Sequence, residues 1–506
     1  MNARVIRDES LPAGLFWALL ALIFAVGLGV RLHQLSAPPL DFHPTRQLHG
    51  ALIARGMYYA QNADVPEWQR EMAAVQQNSE GLIEPQILER VSAWGYGLAG
   101  EADLRIPRVT TILAWTAAAV FISLLALELS GRTGALAAAL FFLAWPYGVI
   151  ASRAFQPEPL LLLMMAAALW AGLRWLRSGS WDWAIAAGLL AGLALYVKVV
   201  AVFFLAPALV VLVLARLRLR EALRSRQVWT MALLFALPYA VYHIDGVFVR
   251  GYLVDQFSLR FFPEMWIDPA FYLRWLSNLN RAVPIELVLA SLLGVFTLRR
   301  TVHRVLLLAM WGGYLAYGLA LSHHISTHDY YHLLLFPLLA LGLGAAAAAV
   351  FQALRGPRRV VQVVIALALL VGLAYEGYQA RALIRRSDAE QQAAALVEIG
   401  QAVGQDASSV ALVDDYGAGL KYYAWLMPSI WPTEADIAFR ERAGEAFDFE
   451  TFFAEQAQGK HYFVITNLEE LEQQERLRDL LESRYPVYHE ADLYRIYDLR
   501  STSPSP

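Results

Sequence analysis

The chain of 506 residues contains no cysteine, which excludes a disulfide framework and any thiolate metal site. Charge is scarce as well. Charged residues make up 17% of the sequence and hydrophobic residues 58%, a far more apolar balance than a soluble globular chain carries. The formal net charge is −3, and the basic residues fall in short loops instead of one patch, so nothing points to DNA or RNA as a partner. No internal repeat or low-complexity segment stands out. These absences leave an integral membrane protein.

What the sequence does have is long apolar runs. A stretch of about 20 apolar residues spans a bilayer. Runs at residues 15–30, 112–127, 135–150, 160–173, 183–214, 228–242, 285–298, 305–321, 333–350 and 361–374 meet or approach that length. The first is too long for a signal peptide and lacks its small-residue cleavage site, so it reads as a retained anchor. The run 183–214 is too long for one span, and Lys198 lies near its centre. A buried ammonium is costly in lipid, which favours a tight hairpin with the lysine at the turn. The fold class expected is therefore a polytopic α-helical membrane protein of about 11 or more transmembrane helices. It carries a large first loop over 31–106 and a small C-terminal α/β domain.

Positive charge sets the orientation. With Arg4 and Arg7 cytoplasmic, alternate loops bring Arg132, then Arg174 and Arg177, then the basic run 216–226, to the same side. Arg299, Arg300 and Arg304 follow, and then Arg355, Arg358 and Arg359. That alternation is the positive-inside pattern. The opposite face receives the first loop, the turn SRAFQPEP with Arg153 and Glu158, the Lys198 turn, residues 243–281, and SHHISTHDYYH over 322–332. Within the first loop, 49–60 and 85–98 have helical apolar spacing with aromatic residues, as helices in the headgroup plane do.

From residue 378 the composition becomes that of a soluble domain, which divides the chain into 1–377 and 378–506. SVALVDD (409–415) and HYFVITN (461–467) read as buried strands, 468–484 as a charged amphipathic helix, and the chain from Val487 as a closing hairpin. The Asp414-Asp415 pair reads as a strand-end turn in preference to a metal site.

The chemistry-bearing residues gather on the outer face. PPLDFHPTRQ (38–47) follows directly on the first span, so Asp41, His43 and Arg46 stand where a membrane helix surfaces. A reaction on a lipid headgroup and an ordinary solvated connector both fit that position. Lys198, an ammonium between two apolar runs, calls for an anionic partner. Glu158, beside two prolines, is either a sugar or metal contact or a helix N-terminal acid favoured by the dipole. His323, His324, His328 and His332 are dense enough for a divalent ion, although their spacing matches no specific ligand motif.

The order of these features resembles the C-type membrane glycosyltransferases that use polyprenyl-phosphate sugars, especially their protein O-mannosyltransferase and aminoarabinose-transferase branch. The matching parts are the acidic first loop, TRQLHGALIARGM, the Glu84-Pro85 element, LRIPRV at 104–109, FQPEPLLLL from Phe155 and HDYYHLLLFP from His328. Two departures are visible. His43-Pro44 stands where the family carries an Asp-Glu pair, with Asp41 two positions early, and the lysine of the family's Glu-Lys-Pro-Pro element is missing.

The resemblance implies transfer of a monosaccharide from a polyprenyl-phosphate donor to a lipid, glycan or protein hydroxyl at the extracytoplasmic face of a cell membrane. It implies Asp41 as first choice of general base, with His43 and Glu84 as rivals. Arg46, Lys198, Tyr330 and Tyr331 are the expected phosphate contacts, and Gln47, Arg153, Glu158, His328 and His332 the further substrate contacts. A divalent metal ion is the one cofactor left open. A flippase or transporter of the same lipid and a noncatalytic envelope assembly protein remain the alternatives.

Overall fold

The computed structural model describes residues 11–82, 84–253, 261–354, 357–385, 388–405, 407–442 and 447–501. Arg4, Arg7 and Arg355, and residues 254–260 of the outer segment 243–281, lie outside the described residues.

In chain order the helices begin with α1 (Ala13–Leu32), α2 (Pro44–Tyr59), α3 (Glu67–Ser79), α4 (Ile87–Ala99), α5 (Arg105–Ala144), α6 (Pro146–Ala151) and α7 (Glu158–Ser178). They continue with α8 (Trp181–Val197), α9 (Val202–Arg216), α10 (Leu219–Ala222), α11 (Arg226–Ile244), α12 (Pro269–Ala282), α13 (Ile285–Thr297) and α14 (Thr301–Ala320). Then come α15 (Ser322–Thr327), α16 (Phe336–Ala353), α17 (Arg358–Arg385), α18 (Ala389–Val403), α19 (Ala418–Tyr423), α20 (Glu434–Arg442), α21 (Phe449–Ala457), α22 (Leu468–Gln473) and α23 (Glu475–Arg484). The five strands are β1 (Ser409–Leu412), β2 (Ser429–Ile430), β3 (Tyr462–Ile465), β4 (Val487–Ala491) and β5 (Tyr494–Asp498).

Contacts divide the chain into two compact units. One comprises Met1–Leu35, Leu82–Ile87 and Arg108–Arg385; the other comprises Ser36–Gly81, Leu88–Pro107 and Arg386–Pro506. Most of the first loop thus belongs with the C-terminal chain, while its start, 31–35, and Leu82–Ile87 belong with the long helices.

The first unit is helical, and every apolar run falls on helix. Among the described residues, seven helices are long and apolar enough to cross a membrane, or up to eight if the bent pair α12 and α13 is one span. Two of the breaks have evident causes. In α5, Gly131 adopts a φ of 83°, a conformation that costs a glycine nothing and separates the runs 112–127 and 135–150. Between α8 and α9, Lys198 is extended (φ −158°, ψ 117°) and a short 3-10 turn follows, where a straight helix would have buried the ammonium in mid-span.

Helix packing in this unit relies on small residues. On α8, Gly188 and Gly192 lie one turn apart and face α11, where a Cβ on Gly188 would come within 2.7 Å of the Met231 carbonyl oxygen and one on Gly192 would strike that of Leu234. In lipid, where apolar burial gives helices little reason to associate, such close backbone approach supplies the packing. Arg31, fully buried, joins three elements: it donates to Gly27 O at 2.8 Å, to Leu143 O at 2.6 Å and to Ser152 Oγ at 2.7 Å. Charge is tolerated there because these oxygen acceptors meet part of its donor set.

The second unit is a three-layer α/β structure. The sheet order is β2-β1-β3-β5-β4, with β1 parallel to β2 and β3, and β5 antiparallel to both β3 and β4. All residues of β1 and β3 are buried, as strands covered on both faces require. One face packs Val410, Leu412, Phe463 and Ile465 with Trp431, Phe453 and Leu481. The other packs Ala411, Val413 and Val464 with Ile399 and Leu420. The strands and hairpin expected from sequence are present; the helix expected over 468–484 is two helices, α22 and α23.

The first-loop helices behave differently from each other. In α2, Leu48, Ala51, Leu52, Ile53 and Ala54 are buried, so this helix is an internal element and not the headgroup-plane helix expected for 49–60. In α4, Val91, Trp94 and Leu98 are exposed along one face, the stripe that an interfacial helix presents.

The α8–α11 seam gives a direct test. Gly192→Leu is expected to lower the unfolding temperature of the detergent-solubilised protein, because overpacking costs about 1–3 kcal/mol and here the obstacle is backbone. Gly29→Leu, where an added Cβ meets nothing within 4 Å, serves as the control and should melt as the parent does. Equal effects of the two substitutions would contradict this packing.

Candidate active site

Two polar clusters, one in each unit, hold several of the residues singled out from sequence. In the helical unit the centre is Lys198, only 7% exposed. Its Nζ lies 2.6 Å from Glu158 Oε1 and 3.4 Å from Glu84 Oε1. The ring centroids of Tyr330 and Tyr331 are 5.7 and 5.3 Å from the same nitrogen, within cation–π range. Tyr331 in turn stacks on the buried Tyr317, at 6.3 Å and 14°.

Each member is placed by local structure. Lys198 occupies the break after α8. Glu158 is the first residue of α7, preceded by Pro157 and followed by Pro159, so the positive end of the helix dipole also favours its charge. Both readings offered for Glu158 therefore converge: it is a helix N-terminal acid and it holds the lysine. Its carboxylate is buried, whereas the side chain of Glu84 is 19% exposed. Glu84 reaches the cluster because Leu82–Ile87 belongs with the helices.

Three other expected contacts have structural partners. Arg153, buried, donates to the carbonyl oxygens of His33 and of Gln34, the latter at 2.9 Å, and so holds the end of α1. His332 is fully buried: Trp275 Nε1 donates to Tyr314 Oη at 2.8 Å, and that hydroxyl is 2.8 Å from His332 Nδ1. It is part of the helix core. His328 lies 2.8 Å from Thr327 Oγ1 through Nδ1, and its ring meets that of Tyr330 at 5.5 Å. Among the described residues, no group of three or more His, Cys, Asp or Glu is arranged to hold a metal ion.

The second cluster surrounds Asp41. The buried Gln47 donates to Phe42 O at 2.7 Å and to Asp41 Oδ1 at 3.4 Å. His43 precedes Pro44, the first residue of α2, and has a left-handed backbone (φ 46°, ψ 67°). A non-glycine residue held there carries about 1–2 kcal/mol of strain. The His43 carbonyl accepts from Arg46 N at 3.0 Å and Gln47 N at 3.3 Å, opening α2 at a proline as helices commonly do.

Sequence reasoning missed the network that joins this loop to the C-terminal chain. Arg55, buried on α2, donates to Tyr422 O at 2.7 Å and to Gln76 Oε1 at 2.7 Å, while Gln76 Nε2 donates to Lys421 O at 2.8 Å. Beside it, Glu80 receives His49 Nδ1 at 2.7 Å and Lys421 Nζ at 2.8 Å. The available signal was an α2 sequence of small and apolar residues interrupted by His49 and Arg55.

The sequence resemblance to C-type membrane glycosyltransferases is borne out by two comparisons. Residues 91–244 match the family model described as dolichyl-phosphate-mannose-protein mannosyltransferase. Among solved structures, ArnT from Cupriavidus metallidurans in the apo state matches with a TM-score of 0.60 and 16% identity, covering 96% of this chain and 98% of that one. The same protein bound to undecaprenyl phosphate gives 0.57 and 17%, with coverage of 96% and 98%. The archaeal oligosaccharyltransferase AglB from Archaeoglobus fulgidus, in complex with an inhibitory peptide and a dolichol-phosphate, gives 0.54 and 12%, covering 95% of this chain and 74% of that one. A sequence comparison with curated proteins gives no match.

The Glu80 contacts predict a pH dependence. Burial pushes the Glu80 carboxyl up, but hydrogen bonds from His49 and Lys421 outweigh it and hold the group below its ordinary 4.5. A depressed acid contributes stability above its unfolded pKa and loses it as pH falls through the folded value. Glu80→Gln should therefore lower the unfolding temperature at neutral pH, with the gap to the parent closing below about pH 4. A gap that stays constant from neutral pH down to about pH 3 would contradict this linkage.

Proposed function

We propose that the protein transfers a monosaccharide from a polyprenyl-phosphate donor to a hydroxyl of a lipid, glycan or protein acceptor, with inversion at the anomeric carbon, on the extracytoplasmic side of a cell membrane. The observation that carries this reading is Lys198, a buried ammonium at a helix break, faced by Glu158, Glu84 and two tyrosine rings. A fixed cation of this kind suits a departing phosphate. The fold shared with a protein solved with undecaprenyl phosphate supports it.

The roles follow from the chemistry. The acceptor oxygen attacks the anomeric carbon as the bond to the phosphate oxygen breaks, and polyprenyl phosphate leaves with the electron pair. Lys198, with Tyr330 and Tyr331 beside it, stabilises that leaving anion. One ammonium cannot neutralise two carboxylates and a phosphate together. The longer, more exposed Glu84 contact is the one the phosphate displaces, whereas Glu158 stays fixed by the α7 dipole. Asp41, aligned by Gln47, takes the acceptor proton.

In this reading all eleven helical runs cross the membrane, 1–377 is the transferase domain, and 378–506 is extracytoplasmic together with the loop 31–106. Asp41→Asn keeps the shape and removes the proton acceptor, so transfer in a purified assay with a labelled donor should fall by about 10²-fold or more. Donor binding should persist, and His43→Gln and Glu84→Gln should each cost less. Near-native transfer by Asp41→Asn, with Glu84→Gln or His43→Gln inactive, would move the base to that residue.

A further inference from the structure

The α/β unit contains an open recess of about 840 Å³, in the size range of ligand pockets, that the transfer reading does not use. Four aromatic residues contribute to its walls: Trp68, Tyr423, Trp425 and Tyr462. Trp68, on α3, is exposed and touches Trp425 edge to face, at 5.6 Å and 71°.

Trp425 is held there against a conformational cost. Its φ is 58°, a left-handed backbone that a bulky side chain rarely adopts. The Arg55 guanidinium lies 3.8 Å over its ring and Tyr59 stacks on it at 6.0 Å and 14°. The buried Arg55 network therefore fixes an indole at the recess wall that local preference would have turned away.

Elsewhere in the recess the groups are planar and polar. Arg500 lies 4.7 Å over Tyr462 and donates to its hydroxyl at 2.9 Å. Asp498 accepts from Arg500 Nε at 2.9 Å and Nη2 at 3.0 Å, which neutralises the charge. Gln401, Gln405 and His461 complete the polar lining. Flat aromatic faces beside amide and imidazole groups match a sugar ring, which has an apolar C–H face and a rim of hydroxyls that both donate and accept. The neutralised arginine disfavours a phosphate ligand. The concave shape and polar walls disfavour a lipid surface, for which α4 already exposes Val91, Trp94 and Leu98.

We propose that this recess binds a neutral oligosaccharide, holding a glycan at sugar units other than the one that reacts. Such a grip adds binding at a part of the ligand remote from the reaction. That the bound glycan is one that reacts rests on the transfer reading, whereas binding of a neutral oligosaccharide in the recess does not.

The test uses the full chain in lipid nanodiscs on a printed array of neutral and acidic glycans, with each hit titrated as free oligosaccharide by tryptophan fluorescence. Saturable binding of a neutral glycan is expected, weakened at least about tenfold by Trp68→Ala, since a lost aromatic contact of about 1.4 kcal/mol corresponds to that factor. Trp425→Phe, which keeps an aromatic over Arg55, should weaken it less. Undecaprenyl-phosphate binding, measured on the same samples, should be unchanged in both variants, so that failure of the recess is distinct from failure of the donor site. Binding of no glycan, glycan binding indifferent to both tryptophan substitutions, or quenching by phosphatidylglycerol vesicles in place of any glycan would each overturn the proposal.

Discussion

The helical unit is organised around one ammonium that cannot be left alone. Lys198 interrupts an apolar stretch that would otherwise run through as one helix, and an unpaired charge in such surroundings costs several kcal/mol. The chain answers with a break between α8 and α9, a carboxylate fixed at the start of α7, and a second carboxylate on a short segment that leaves the first loop for the helices. The two tyrosines after α15 supply their ring faces. Four separate parts of the sequence are thus committed to one cation. Such a buried ion pair gives weak net stabilisation against an apolar replacement, which makes a ligand-binding role the better account of its presence.

The α/β unit solves a different problem. Its central strands β1 and β3 are buried throughout, and α2 is tied to the C-terminal chain by Arg55, Gln76 and the His49–Glu80–Lys421 chain. The consequence is that Arg46 and Gln47 stand on an anchored helix, with Asp41 and His43 in the segment that leads directly into it. The left-handed backbone at His43 adds a fixed bend just before that helix. The general base proposed at Asp41 needs such support, because a misplacement of about 1 Å costs roughly 10²-fold in rate.

Much of this was legible in the residues, and the remainder was hidden for identifiable reasons. Each apolar run became helix because hydropathy and length are local properties, and the lysine break followed from the cost of burying its charge. β1 and β3 were visible as continuous apolar runs, the pattern of strands covered on both sides. By contrast, Glu158 and Lys198 pair across 40 residues and Arg55 meets Tyr422 across 367, distances over which one sequence carries no pairing signal. α3 buries only Ala73 and Gln76, so it shows no apolar stripe. His332 looked like part of a polar cluster, but it is fully buried with Nδ1 on the Tyr314 hydroxyl, and an imidazole fits in a core as readily as at a site. The headgroup-plane reading of α2 failed because small apolar residues suit a buried helix as well as an interfacial one, whereas α4 keeps the large exposed side chains that separate the two.

The central claim is that the Lys198 cluster receives the phosphate of a polyprenyl donor, and equilibrium binding of undecaprenyl phosphate to the purified protein tests it most directly. Lys198→Met paired with Glu158→Gln removes the cation without leaving a buried unpaired carboxylate, so the fold should persist. Loss of a charge-assisted contact of about 1.5–3 kcal/mol predicts binding weaker by roughly 10- to 150-fold. Unchanged affinity in a folded double variant would contradict the account and leave the ion pair as a structural feature of the helices alone.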